Sequence, residues 1–144
     1  MSRVQLALNV SDLDEAVAFY SRLFATEPAK RRPGYANFAV AEPPLKLVLF
    51  ENPGAPTRLN HLGVEVESTD DVGATQRRLD TEGLDTATED GVTCCYAVQD
   101  KVWVDDPDGA PWEVYTVLAD SDTPQQKQLR TVEVGGDGGC DCAV

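Results

Sequence analysis

Residues 5–23 read QLALNVSDLDEAVAFYSRL and residues 61–79 read HLGVEVESTDDVGATQRRL, aligned at a constant offset of 56 residues. Each stretch opens in strict alternation, Leu6, Leu8 and Val10 in the first and Leu62, Val64 and Val66 in the second. Apolar residues at every second position mark a strand with one buried face. Each strand then runs into a helix start, Ser11-Asp12-Leu13-Asp14 and Ser68-Thr69-Asp70-Asp71. Short oxygen-bearing side chains there accept from the amides that a first helical turn leaves unbonded. Leu13, Val17, Tyr20 and Phe24 fall on one stripe of the first predicted helix, a core-facing pattern. The second helix is less apolar, with Val72, Gln76 and Leu79 on its stripe and Gly83 placed to end it.

Strand signals follow each helix. Residues 35–41 (YANFAVA) and 45–51 (LKLVLFE) come after the first, and residues 86–97, 101–105 and 111–118 after the second. Asp106-Pro107-Asp108-Gly109 is a turn signal, because proline presets φ and glycine tolerates a positive one. Asn52-Pro53-Gly54-Ala55-Pro56 separates the halves. The expected order is β-α-β-β-β, twice. This is an α+β fold of two βαβββ modules, residues 1–52 and 57–119, with helices on one side of a largely antiparallel, cupped mixed sheet. From about residue 120 the periodicity fades, and residues 120–144, ending GGDGGCDCAV, are expected to form a flexible tail containing glycine and cysteine.

The chain has 144 residues, 42% hydrophobic and 26% charged, which suits one domain with a real core. No apolar run approaches the ~20 residues of a membrane span. The opening MSRVQLALNV lacks the layout of a secretory signal, so a cytoplasmic location is expected, with thiols kept reduced. A formal net charge of -13 argues against nucleic acid as a partner, since phosphate contacts need Lys and Arg, and it would repel highly anionic substrates. Only 4 Lys accompany 25 Asp and Glu, a balance suited to a high-salt cytoplasm. The composition does not fix whether the chain acts as a monomer or a homodimer.

Two cysteines stand side by side at Cys94-Cys95. Thiolates are soft ligands, and a neighbouring pair can grip one thiophilic atom such as trivalent arsenic or cadmium. The plain alternative is two small hydrophobes buried in a strand. Adjacent strand residues point to opposite faces, so a shared ligand requires the backbone to bend there, and the segment is expected to be a mobile loop. If Leu6, Leu8 and Val10 face the helix, then Gln5, Ala7 and Asn9 face away, and so do His61, Gly63 and Glu65 in the second repeat. Gln5 and His61 thus hold equivalent positions. Glu113 sits in the otherwise apolar WEVYTVL, and a buried carboxylate is normally paired or bound to a metal. Gln5, His61 and Glu113 are therefore candidate metal ligands, while His61, the only histidine, also suits a structural hydrogen-bonding role. Tyr96, Gln99 and Lys101 either line the site or are ordinary strand and turn residues. Trp103 and Trp112 are expected in the core, and Tyr115 on the face with Glu113.

The duplication, the DPDG turn and the late-strand Glu resemble the vicinal oxygen chelate superfamily, over residues 1–119. The resemblance implies a cupped sheet around a divalent metal held by Gln5, His61 and Glu113, with Gln replacing the first His of the extradiol dioxygenase branch. PGYANFAV, PPLKLVLFENPG, LNHLGVEV, TCCYAVQDKVWV and PWEVYTVLAD are more closely similar to the non-haem iron carbon–arsenic lyases and the cadmium-induced proteins of actinobacteria. That likeness implies Cys94 and Cys95 as ligands of a trivalent organoarsenical such as methylarsenite. It implies Fe(II) as cofactor, with Ni, Co or Zn able to stand in, and dioxygen as co-substrate. The implied reaction cleaves the C–As bond to give arsenite and an oxidised carbon fragment. Cys140 and Cys142 either pass arsenicals to the site, or scavenge the product, or are incidental thiols of an exposed tail. Other readings remain open: a thiol-based cadmium- or arsenite-binding stress protein without turnover, a glyoxalase-like metalloenzyme, a thiol transferase acting on an antibiotic, and a metal-free ligand-binding protein.

Overall fold

The alternation of the first repeat becomes β1 (Arg3–Val10), and the stripe that follows becomes α1 (Leu13–Leu23). The computed structural model describes residues 2–94 and 96–121; Cys95 and residues 122–144 of the expected tail, with Cys140 and Cys142, lie outside the described residues, while Asp120 ends a strand. The chain divides into two compact units, one of residues 3–62 and one beginning at Gly63. Each carries one helix, and the strands of the chain belong to a single eight-stranded sheet.

In the first unit α1 leads to β2 (Lys30–Arg32), β3 (Tyr35–Val40) and β4 (Leu45–Glu51). β2 pairs antiparallel with β3, β3 antiparallel with β4, and β4 parallel with β1. Asp12 caps α1 by accepting from the Glu15 amide, and Glu51 at the end of β4 accepts from Leu13 N at 2.8 Å. The helix start is thus tied to the strand that it covers. Leu13 and Val17 pack on Ala36, Phe38, Val40, Leu47 and Leu49, with Leu6, Leu8, Val10, Tyr20 and Phe24 around them. This is the face that the alternation assigns to the core. Strand β2 is an addition to the sequence reading. Lys30-Arg31-Arg32 has no apolar alternation and is a strand only through its pairing with β3.

β5 (Leu59–Glu65) begins in the first unit and ends in the second, which goes on with α2 (Thr69–Thr81), β6 (Ala87–Cys94), β7 (Ala97–Asp105) and β8 (Pro111–Asp120). Ser68 caps α2 by accepting from Asp71 N, and Val72 and Leu79 are its buried residues. Gly83 follows the helix with φ 82, as its expected role as a stop requires. Strands β6, β7 and β8 form an antiparallel meander. The order of elements is β-α-β-β-β in both units, so the α+β class with two βαβββ modules holds. The sheet is mixed, through the parallel β1–β4 pair.

One expected strand, residues 86–97, is interrupted. β6 ends at Cys94, Tyr96 adopts φ 62, and β7 starts at Ala97, which pairs with Cys94. A left-handed backbone at a non-glycine residue marks a tight reversal. No helix among the described residues is long and apolar enough to cross a membrane.

Candidate functional site

The face of the first unit that turns away from α1 carries Gln5, Ala7, Tyr35, Asn37, Val48 and Phe50, all buried. Register places them together: Gln5 lies opposite Lys46, Ala7 opposite Val48, Asn37 opposite Val48, and Tyr35 opposite Phe50. His61 joins this face from β5, its ring 6.3 Å from that of Phe50. Gln5 and His61 are 3% and 1% exposed. Gln5 Nε2 lies 3.1 Å from His61 Nε2, so the equivalence of these two positions in the repeats is realised as direct contact.

The tautomer of His61 follows from a chain of hydrogen bonds anchored on the backbone. Asn9 Nδ2 donates to the Thr57 carbonyl at 3.0 Å, which leaves Asn9 Oδ1 as acceptor. Asn60 Nδ2 donates to that oxygen at 3.1 Å, so Asn60 Oδ1 faces His61 Nδ1 at 2.8 Å and must accept from it. His61 Nδ1 therefore carries hydrogen, and in the neutral ring Nε2 keeps a lone pair, which here accepts from Gln5. Fixing one imidazole nitrogen as donor so that the other can ligate is the usual preparation of a metal-binding histidine. Asn60 lies outside the candidate residues of the sequence reading; its position beside the only histidine is the signal that could have found it.

In the second unit, Asp100 of β7 points to α2, where Thr69 Oγ1 donates to its Oδ2 at 2.6 Å. Its neighbours Gln99, Lys101 and Trp103 must then point to the opposite face. Lys101 is the register partner of both Glu89 on β6 and Tyr115 on β8, and Trp103 is the partner of Glu113. Glu89, Lys101, Trp103, Glu113 and Tyr115 thus share one face, away from α2. Lys101 is 0% exposed and donates from Nζ to Glu113 Oε2 at 2.8 Å, with Glu113 itself 2% exposed. The ammonium lies 5.5 Å from the Trp103 ring centre and 5.8 Å from that of Tyr115, within cation–π range. Trp103 is fully buried as expected, but beneath a charge rather than within an apolar core; Trp112 is only partly buried.

Cys94 reaches the same face through a β-bulge. Glu89 pairs with Lys101, but Val92 pairs with Gln99, so β6 spends one more residue than β7 over this interval. The extra residue reverses the parity of the strand. Cys94, which simple alternation from Glu89 would send towards α2, instead lies opposite Ala97 and on the side of Gln99 and Lys101. Gly91 sits in the bulge at φ 61, and its amide donates to Asp100 Oδ1 at 2.6 Å. Gln99 Nε2 donates to the Cys94 carbonyl at 3.0 Å. Cys94 is fully buried, and its sulfur is in a disulfide. The sequence reading expects reduced thiols, and binding of an arsenical requires that form. Of the flanking candidates, Gln99 and Lys101 lie on the Glu113 face. Glu89 was missed, because its parity is legible only once the register is known. Among the described residues, no three His, Cys, Asp or Glu side chains gather as a metal group.

An imidazole whose Nε2 accepts from an amide and a buried carboxylate holding a cation are placed by a duplicated βαβββ fold. The chain belongs to the glyoxalase/bleomycin resistance protein/dioxygenase superfamily, whose family model matches residues 3–114. It is 68% identical over 123 residues to cadmium-induced protein CadI of Mycobacterium tuberculosis, spanning 85% of this chain and 81% of that one. It is 64% identical over 124 residues to the trivalent organoarsenical cleaving enzyme of Thermomonospora curvata, spanning 85% and 82% of the two chains. Among solved structures, the Mn(II)-bound glyoxalase from Novosphingobium aromaticivorans matches with a TM-score of 0.60 at 22% identity, over 88% of this chain and 43% of that one. At such identity the likeness concerns the fold alone.

Proposed function

We propose that this protein cleaves the carbon–arsenic bond of trivalent organoarsenicals such as methylarsenite, using Fe(II) and dioxygen, in arsenic detoxification. Gln5, His61 and Glu113 are its metal ligands, and Cys94 and Cys95 hold the arsenic. The observation that carries this reading is the β6 bulge, which puts Cys94 on the same face as Glu113. A soft sulfur donor and a hard carboxylate donor then address one substrate. The 64%-identical relative named for trivalent organoarsenical cleavage supports it.

The residues fit a divalent ion by their chemistry. His61 offers Nε2, Gln5 offers its amide oxygen once the amide turns over, and Glu113 already binds a positive charge. Bound Fe(II) would supply the dioxygen chemistry that oxidises the carbon of the C–As bond. The protein's own part is positioning. Thiolates fix the arsenic, buried Tyr115 and Trp103 exclude water beside Glu113, and the Asn9–Asn60 chain keeps His61 Nε2 ready to ligate. Holding both reactants in place replaces a collision by an oriented encounter.

The 68%-identical relatives named as cadmium-induced favour a second reading, a thiol protein that sequesters cadmium or arsenite without turnover. The reduced protein, incubated with methylarsenite, separates the two. Arsenite released only when Fe(II) and air are both present supports cleavage. Methylarsenite retained unchanged under all conditions supports sequestration.

A further inference from the structure

Among the described residues, the buried face of the second unit brings together Lys101, Glu113 and Glu89, an arrangement that the metal assignment alone does not use. Lys101 is 0% exposed, Glu113 2% and Glu89 3%. Glu89 is the direct register partner of Lys101 across β6 and β7, whereas Glu113 is diagonal to it, being the partner of Trp103. Directly opposed residues in an antiparallel pair have Cβ atoms about 4.5–5.5 Å apart, and diagonal ones remain within reach of long side chains. The ammonium pairs with the diagonal carboxylate at 2.8 Å.

We propose that Lys101 is an internal placeholder cation: it occupies Glu113 while the protein is metal-free, and transfers to Glu89 when Glu113 takes a divalent ion. The inference rests on the assignment of Glu113 as a metal ligand and names two positioning residues for it. Without metal, a buried carboxylate without a counter-charge would be costly, and Lys101 supplies that charge. With metal, an ammonium left against a newly added dication would be repelled, and Glu89, one strand across on the same face, receives it. The four-carbon stem of lysine permits the swing, because its head is a point charge with rotatable donors rather than a fixed fork. Trp103 and Tyr115 form an aromatic floor along which the ammonium keeps favourable contact.

The test is a double-mutant cycle on Co(II) affinity, read from the d–d absorption of the reduced full-length protein without substrate. Lys101→Met removes the competitor and should tighten Co(II) binding roughly tenfold; Glu89→Gln removes the receiving carboxylate and should weaken it by about the same factor. In the Lys101→Met background the Glu89→Gln change should cost less than about threefold, since no ammonium remains to be received. Glu89→Gln leaves the Lys101–Glu113 pair intact, so it reports even if Lys101→Met folds poorly. Unchanged affinity in Glu89→Gln, no tightening in Lys101→Met, or the same loss from Glu89→Gln in both backgrounds would each overturn the proposal. If the wild-type protein binds no Co(II), Fe(II) or Mn(II), the metal assignment itself is wrong, and the placeholder role falls with it.

Discussion

The neighbours of His61 do different things. Phe50 lies beside its ring, Asn60 takes the hydrogen of Nδ1, and Gln5 touches Nε2. Asn60→Ala releases the tautomer without removing a ligand. Loss of such a partner typically costs about 10–100-fold in metal affinity, and Co(II) titration of Asn60→Ala should show a loss of that order with the urea midpoint little changed. Cys94→Ser should do the opposite: methylarsenite binding, measured by equilibrium dialysis of the reduced protein, is lost while Co(II) affinity is retained. An equal loss of metal in Cys94→Ser and His61→Ala would break the division of labour between sulfur and iron. Gln5, His61 and Glu113 could be singled out because duplication and alternation expose them. Lys101 showed only as a neighbour of the cysteines, and Glu89 not at all. A lysine that is wholly buried looks in sequence like any surface lysine.

The strands were legible where the period is local, and less so where pairing decides. β1, β5 and the caps of both helices follow from the nearest few residues. β2 does not, because three basic residues have no strand pattern until β3 pairs with them. The bulge in β6 is the more consequential case. Its sequence, Glu89-Asp90-Gly91-Val92, reads as a plain continuation of the strand, yet the one-residue register shift decides which face Cys94 takes. Asp100 holds that shift by joining Gly91 N to Thr69 Oγ1 at the start of α2. Asp100→Ala removes both bonds and should lower stability by roughly 1–3 kcal/mol in urea unfolding. A Cβ at Gly91 meets nothing within 4 Å, so Gly91→Ala is penalised by its φ of 61 alone. That change should cost about 1 kcal/mol. If Asp100→Ala were neutral, the bulge would be set by something other than this carboxylate.

At the scale of the whole chain, duplication, charge and thiols point in separate directions. The two βαβββ units follow from the repeat, and the family match over residues 3–114 agrees with it. The net charge of -13 bears on solution behaviour rather than on the site. Self-repulsion among exposed carboxylates is screened by salt, with a Debye length falling from about 10 Å at 0.1 M to about 3 Å at 1 M. The melting temperature should therefore rise with KCl over that range. A flat melting curve would remove the argument for a high-salt cytoplasm. The thiols carry the functional claim, and oxygen consumption tests it most directly. The reduced protein, loaded anaerobically with Fe(II), is mixed with methylarsenite and aerated buffer in an oxygen electrode. The expected result is oxygen uptake that begins only on adding methylarsenite, matches the arsenite formed, and disappears in Cys94→Ser. Methylarsenite that binds tightly while oxygen uptake stays at the level of the substrate-free protein would contradict it and leave a thiol sequestering protein in its place.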